Sequence, residues 1–307
     1  MDFIGLLSRL IVLFMLICLG ILSNKLKIIT EDGCQIINKI VFYICSPALI
    51  LNAVIDSQLN ISVSDVLMLL LYAVLFNLIA LIVGYLAAHL FCKNDKINGA
   101  MNLVISFGNF AFMGFPVISA LYGDGAIFLV SVCSIPFNVF LFSAGAMLVA
   151  KRKGEGFPAK KVFTNPSLIS TVVAFFIFLF KIAVPKPIAE TIGYMGNTVV
   201  PLSMLLIGAS LGRMSLKSIF CNGWKYWVCF VKLIVMPLIL WLVFRSFVKD
   251  ELILGILVVI ASMPSAASAP VLCTEYGGDS EFASGSVFLT TLLSLLTVPV
   301  IVYLLLL

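Results

Sequence analysis

Along most of this chain the side chains alternate at neither the helix nor the strand period. They stay apolar for about twenty residues at a time and break only at short polar or Gly/Pro-rich stretches. Ten such runs can be marked off, at approximately 4–23, 36–55, 66–91, 98–122, 126–150, 166–184, 188–211, 224–248, 252–276 and 280–305. A helix needs about 20 mostly apolar residues to cross a bilayer, so the pattern predicts an all-α membrane protein of ten transmembrane helices. The first run lacks a basic start and a small-residue cleavage site, which makes it a spanning helix rather than a removable leader. Composition agrees, since 62% of the 307 residues are hydrophobic and 11% are charged, whereas soluble domains carry about 25% charged residues. The bilayer is therefore an expected partner. The net charge of +5 carries no implication of nucleic acid, because only its distribution along the chain is informative.

That distribution orients the chain. Thirteen of the nineteen Lys and Arg follow odd-numbered runs: Lys25, Lys27, Lys39, Lys93, Lys96, Lys151, Arg152, Lys153, Lys160, Lys161, Arg213, Lys217 and Lys225. Arg9, Lys181, Lys186, Arg245 and Lys249 fall on the other side, and Lys232 lies inside the eighth run. Both termini are therefore expected outside and the 151–164 loop in the cytoplasm. The eight cysteines form no CxxC pair and imply neither a disulfide framework nor a metal site.

Landmarks recur at a single offset. Pro47 and Pro201 are 154 residues apart, and so are Pro116 and Pro270, which open "PVISALYG" and "PVLCTEYG". Val117 then falls on Val271, Tyr122 on Tyr276 and Gly123 on Gly277. The expected organisation is a first five-helix repeat at 1–150, a linker at 151–164 and a second repeat at 165–307. An odd number of helices per repeat inverts the second copy. Inverted repeats with interrupted hydrophobic segments at corresponding positions are a signature of secondary transporters, whose binding site lies where the interruptions meet. Here those segments are "GNFAFMGFP" in the fourth run and "SMPSAASAP" in the ninth. Gly108 and Gly114 remove bulk. Pro116, Pro264 and Pro270 remove backbone donors and clash with the carbonyl four residues earlier. Non-helical backbone at membrane depth survives only when buried in protein or lining a wet cavity.

"GNFAFMGFPVISALYG", "SPALILNAV", "KLIVMP" and "PSAASAPVLCTEYGGD" resemble the bacterial branch of the auxin efflux carrier family, membrane transport proteins related to the plant auxin carriers. The resemblance runs over nearly the whole chain, and Asn109, Met113, Gly114 and Pro116 form its most specific pattern. It implies a sodium/proton-antiporter-like or bile-acid-symporter-like fold. In that fold runs 1, 2, 6 and 7 make a scaffold, through which a homodimer forms, and runs 3–5 and 8–10 make a transport domain with the fourth and ninth crossing. It also implies a plasma-membrane carrier of small organic anions, auxin-like monocarboxylates or dicarboxylates such as malate or malonate. One departure is visible: plant members carry a lysine shortly after an acidic residue in the third run, whereas Asp65 is followed here by "VLMLLLY".

The expected substrate site takes Gly108, Asn109, Phe110, Met113 and Pro116 from the fourth run and Pro264, Ser265, Ser268 and Pro270 from the ninth. Ser46, Pro47 and Asn52 of the second run face it from the scaffold. Asn109 offers two donors and an acceptor, so it can hold a carboxylate without burying a charge. Lys232 is an intramembrane charge, which defaults to a functional assignment. It can complement an anion, hold broken-helix carbonyls, pair with Glu275, or snorkel to the interface. Asp279 reads as a helix cap, His89 as an interface residue, and Asn77, Asn102 and Asn138 as interhelical hydrogen-bonding groups.

No phosphate loop GxxxxGK[ST] is present, so no ATP is expected, and no cofactor beyond a coupling H⁺ or Na⁺. The competing function is a cation/proton or sodium-coupled exchanger of the same architecture, which would want carboxylates at the interruptions. A channel would want a polar stripe along a span. An intramembrane enzyme would want a motif such as HExxH, which is absent.

Overall fold

The computed structural model describes residues 3–55, 62–90, 95–150, 164–213 and 222–306. Among these every element is helical. In chain order they are α1 (Phe3–Lys25), α2 (Glu31–Ile55), α3 (Val63–His89), α4 (Asp95–Ser106), α5 (Phe115–Tyr122), α6 (Ala126–Val149), α7 (Pro166–Phe180), α8 (Lys186–Arg213), α9 (Gly223–Phe244), α10 (Glu251–Ser262), α11 (Ala269–Tyr276) and α12 (Ser280–Leu306). The helical reading of the apolar runs is thus correct, and six of these helices (α2, α3, α6, α8, α9 and α12) are long and apolar enough to cross a membrane. The fourth and ninth runs are each split, into α4 and α5 and into α10 and α11. The 151–164 linker, apart from Thr164, lies outside the described residues.

Local chemistry fixes the helix ends. Thr30, Asn165, Asn222 and Asp250 accept from backbone N–H groups of the turns they precede. Asp279 does so for α12, taking the Phe282 N–H at 2.8 Å, as the sequence suggested; each such cap is worth about 1 kcal/mol. Gly277 ends α11 in the left-handed region at φ 83°. A Cβ there costs roughly 1–2 kcal/mol, so Gly277→Ala is expected to lower the melting temperature and Gly277→Asn to lower it less.

Prolines shape the helix interiors. Of four π-helical turns among the described residues, Val41–Cys45, Phe110–Gly114 and Val231–Val235 each end two residues before a proline, Pro47, Pro116 and Pro237, and the fourth, Leu141–Gly145, does not. A proline ring presses on the carbonyl four residues back, here that of Tyr43, Phe112 or Leu233. Widening the turn that carries this carbonyl is the local solution, and a π bulge is the known form of it.

The chain divides into two compact units. The first comprises Met1–Leu70, Ala111–Ile135 and Phe163–Met214. In it α1 packs along the second half of α8, and the Ser46–Ile55 part of α2 packs on α7 and on the first half of α8. Glycines permit both contacts. A Cβ on Gly208 would stand 2.9 Å from the Gly20 Cα, and one on Gly196 would stand 2.9 Å from the Leu49 Cα. Lipid supplies little hydrophobic drive between helices, so close backbone approach through small residues is what associates them.

The second unit comprises Leu71–Phe110, Pro136–Val162 and Ser215–Leu307. Here α12 packs against α4, α9, α10 and α11. Side chains knit it further: the Trp227 indole N–H donates to the Ala87 carbonyl at 3.1 Å, and Ser106 Oγ of α4 lies in hydrogen-bonding reach of the Ala80 carbonyl of α3 at 3.1 Å as well as of Asn102 Oδ1 on its own helix at 2.8 Å.

Candidate functional site

The two interruptions meet inside the second unit. Between α4 and the π turn at 110–114, residues 107–109 leave the helix; between α10 and α11, residues 263–268 do. They run past each other as a single antiparallel backbone pairing of Gly108 with Ser265. The Asn109 N–H donates to the Pro264 carbonyl at 2.8 Å and the Ala266 N–H to the Phe107 carbonyl at 2.9 Å. Two further bonds tie the crossing to its neighbours. Ser265 Oγ donates to the Val104 carbonyl at 2.7 Å, and the Ser265 N–H donates to Thr290 Oγ1 of α12 at 3.2 Å. Breaking a helix leaves orphan backbone groups that are costly away from water, and these bonds satisfy several of them.

Lys232 stands beside this crossing. It lies within the Val231–Val235 π turn of α9 and is 1% exposed. A Cβ added at Gly108 would stand 3.4 Å from its Nζ, so the end of the lysine lies against the crossing. No hydrogen bond or ion pair to this ammonium is found among the described residues. Snorkelling and pairing with Glu275 are both absent: the lysine is buried, and Glu275 on α11 is exposed.

The remaining expected residues divide between the units. Gly108, Asn109, Phe110, Pro264, Ser265, Ser268 and Pro270 belong to the second unit, with Lys232 and Glu275. Asn109 is buried at 6% exposure, and Phe110 stacks on Phe137 with ring centres 4.3 Å apart. Ser268 is half-buried at the start of α11 and makes no side-chain cap bond there. Met113, Pro116, Ser46, Pro47 and Asn52 belong to the first unit. Pro116 is the second residue of α5, as Pro270 is of α11. Ser46 and Asn52 are buried, and the Asn52 amide oxygen lies 3.1 Å from where a Cβ of Gly193 would stand, so that side chain faces α8.

Sequence reasoning missed two residues. Thr290 looked like one polar position in a long apolar run, yet it is fully buried and accepts the Ser265 N–H. Lys225 was counted with the aqueous loops and is instead 5% exposed inside α9, with Gly285 of α12 against its side chain. The "GWKYWVCF" stretch held the signal, because Lys225 precedes Lys232 by seven residues and so falls on the same helix face. His89 is exposed, its Nδ1 3.1 Å from the Tyr85 carbonyl and its ring stacked on Tyr85, in keeping with an interface residue. Asn77 Nδ2 donates to the Ala73 carbonyl of its own helix at 2.7 Å, so this amide satisfies local backbone rather than a neighbouring helix.

Comparison with known proteins adds an independent line. The membrane transport protein family matches residues 6–158 and 155–302. An uncharacterized transporter of Methanocaldococcus jannaschii is 30% identical over 304 residues, covering 94% of this chain and 95% of the relative. Another uncharacterized transporter, from Methanothermobacter thermautotrophicus, is 24% identical over 302 residues, covering 97% and 98%. A protein of Rhizobium meliloti, named as a proposed malonate transporter, is 24% identical over 302 residues, covering 95% and 93%.

Proposed function

Because the chain belongs to the membrane transport protein family and is a multi-pass membrane protein, we propose that it is a secondary carrier of small organic anions. The observation that carries this reading is the buried Lys232 ammonium, without a partner among the described residues, beside the Gly108–Ser265 crossing. A charge held at membrane depth is costly unless something compensates it, and an anionic ligand arriving at the crossing is the natural compensation. A cation exchanger would instead require a carboxylate there, and the two interrupted segments contain none.

The mechanism we infer is alternating access between inverted five-helix repeats, around a site at their interrupted helices. Two features support the repeat. First, α5 and α11 are both eight-residue helices with proline at their second position, and each is followed by a glycine of positive φ, 85° at Gly123 and 83° at Gly277. Second, the first helix of each proposed repeat packs on the second helix of the other, α1 on α8 and α7 on α2. In this reading Asn109, the crossing prolines and Ser268 shape the site, the first, second, sixth and seventh runs form the scaffold, and the linker faces the cytoplasm. A monocarboxylate or a dicarboxylate fits the class, the latter in line with the printed name of the Rhizobium meliloti relative.

The test is thermal stability of the purified protein with a panel of mono- and dicarboxylates, with and without Na⁺. A ligand that binds only the folded state raises apparent stability by mass action, about 2.7 kcal/mol at 100 times its Kd. A shift with at least one carboxylate is expected, and Asn109→Ala should weaken it roughly tenfold while leaving the unliganded melting temperature near wild type. Shifts with Na⁺ alone and with no carboxylate would replace the anion carrier by the ion exchanger.

A further inference from the structure

We propose that the crossing takes one carboxylate, held against the Lys232 ammonium, so that the substrate is a monoanion and the loaded site is electrically neutral. This rests on the organic-anion reading and narrows it.

Several donors at the crossing are already in use. The backbone N–H of Asn109, of Ser265 and of Ala266 are bonded to Pro264, Thr290 and Phe107. The Ser265 hydroxyl is bonded to Val104. These groups hold the two interruptions together and would have to break to serve a ligand. The Lys232 ammonium carries three donors and a full charge, and no partner among the described residues occupies it.

Charge then fixes the stoichiometry. No carboxylate among the described residues stands against Lys232, so a protonated Lys232 brings one positive charge to the crossing. One carboxylate cancels it. A second ionised carboxylate on the same ligand would be buried without a counterion, and an unpaired buried charge costs more than a paired one returns. The other buried lysine of α9, Lys225, lies seven residues away, about 10.5 Å along a regular helix, and has interactions of its own. Gly108 places the lysine at the crossing itself, because a Cβ there would stand 3.4 Å from Nζ.

The experiment measures binding to the purified full-length protein for matched pairs that differ only in charge: benzoate with benzamide, and indole-3-acetate with indole-3-acetamide. Malonate and malate serve as the two-carboxylate probes. The wild-type protein is expected to bind at least one monocarboxylate at least tenfold more tightly than its amide and more tightly than either dicarboxylate. In Lys232→Met that carboxylate should lose tenfold or more while its neutral amide holds or gains, so the preference disappears. A merely structural role would weaken acid and amide alike, and that parallel loss overturns the proposal, as does an unchanged carboxylate preference. Lys232→Gln, which removes the charge and keeps a polar end, repeats the comparison if the Met variant does not fold. Binding of malonate or malate in preference to every monocarboxylate overturns the single-charge site but leaves the organic-anion carrier standing. Binding of no carboxylate removes both.

Discussion

Gly208→Ala is expected to destabilise the protein by about 3 kcal/mol or more, the upper end of what overpacking costs. The reason is where the methyl would go. On α8 it would run into the backbone of α1, against the Ile17 carbonyl oxygen, with the Gly20 Cα and the Ile17 carbonyl carbon each 2.9 Å away. A neighbouring side chain can rotate aside, but backbone inside a packed helix pair cannot, so the two helices must separate along their contact. Helix propensity acts the other way, since Ala is favoured over Gly by about 1 kcal/mol in a helix interior. A net loss therefore reports the contact and nothing else. Gly223→Ala is the control, because nothing lies within 4 Å of its added Cβ. Melting curves in detergent should show Gly208→Ala lower by on the order of 10 °C and Gly223→Ala within a degree of wild type. Equal melting of all three proteins would mean that α1 and α8 do not meet at these glycines.

That contact also shows where sequence reading stops. The runs themselves were legible because an apolar stretch of twenty residues needs no partner to be recognised. Pro116 and Pro270 were legible because a proline leaves the same local mark wherever it occurs, and each is the second residue of an eight-residue helix. Asp279 was legible because a cap is local.

Gly20 and Gly208 gave no such signal, since a single glycine in an apolar run does not say which helix it will meet. An all-apolar run has no polar face to orient it, and so the periodicity that locates partners in soluble helices is missing. The same holds for Ser265, whose bond reaches Val104, 161 residues away. Lys225 was misplaced for a related reason. Counting Lys and Arg treats every basic residue near a run's end as solvated, yet glycine on a neighbouring helix can accommodate a long aliphatic stem inside the protein.

Gly108→Ala is the converse case: the fold is expected to survive and the function to fail. Gly108 is not among the residues of positive φ, so the backbone accepts a Cβ. The methyl would stand 3.4 Å from the Lys232 ammonium, 3.5 Å from the Ile260 carbonyl oxygen and 3.7 Å from the Met263 Cβ, all ordinary contact distances. The crossing bonds of Asn109, Ser265 and Ala266 involve other atoms and remain. The melting temperature without ligand should therefore stay within the equivalent of about 1 kcal/mol of wild type. Binding should not, because in the proposed site the methyl would stand between Gly108 and the ammonium, 3.4 Å from Nζ, where the carboxylate is held. Displacing a charge-assisted contact of this kind costs up to about 3 kcal/mol, which is roughly a hundredfold in affinity. Measuring melting and carboxylate affinity on the same preparation separates the possibilities. Intact affinity would place the ligand on another side of Lys232, and a large loss of stability would show that the space beside Gly108 is needed for packing rather than kept for a ligand. Because Gly208→Ala and Gly108→Ala add the same methyl, the contrast between them distinguishes a glycine that lets helices touch from one that, in the proposed site, leaves room beside a buried lysine.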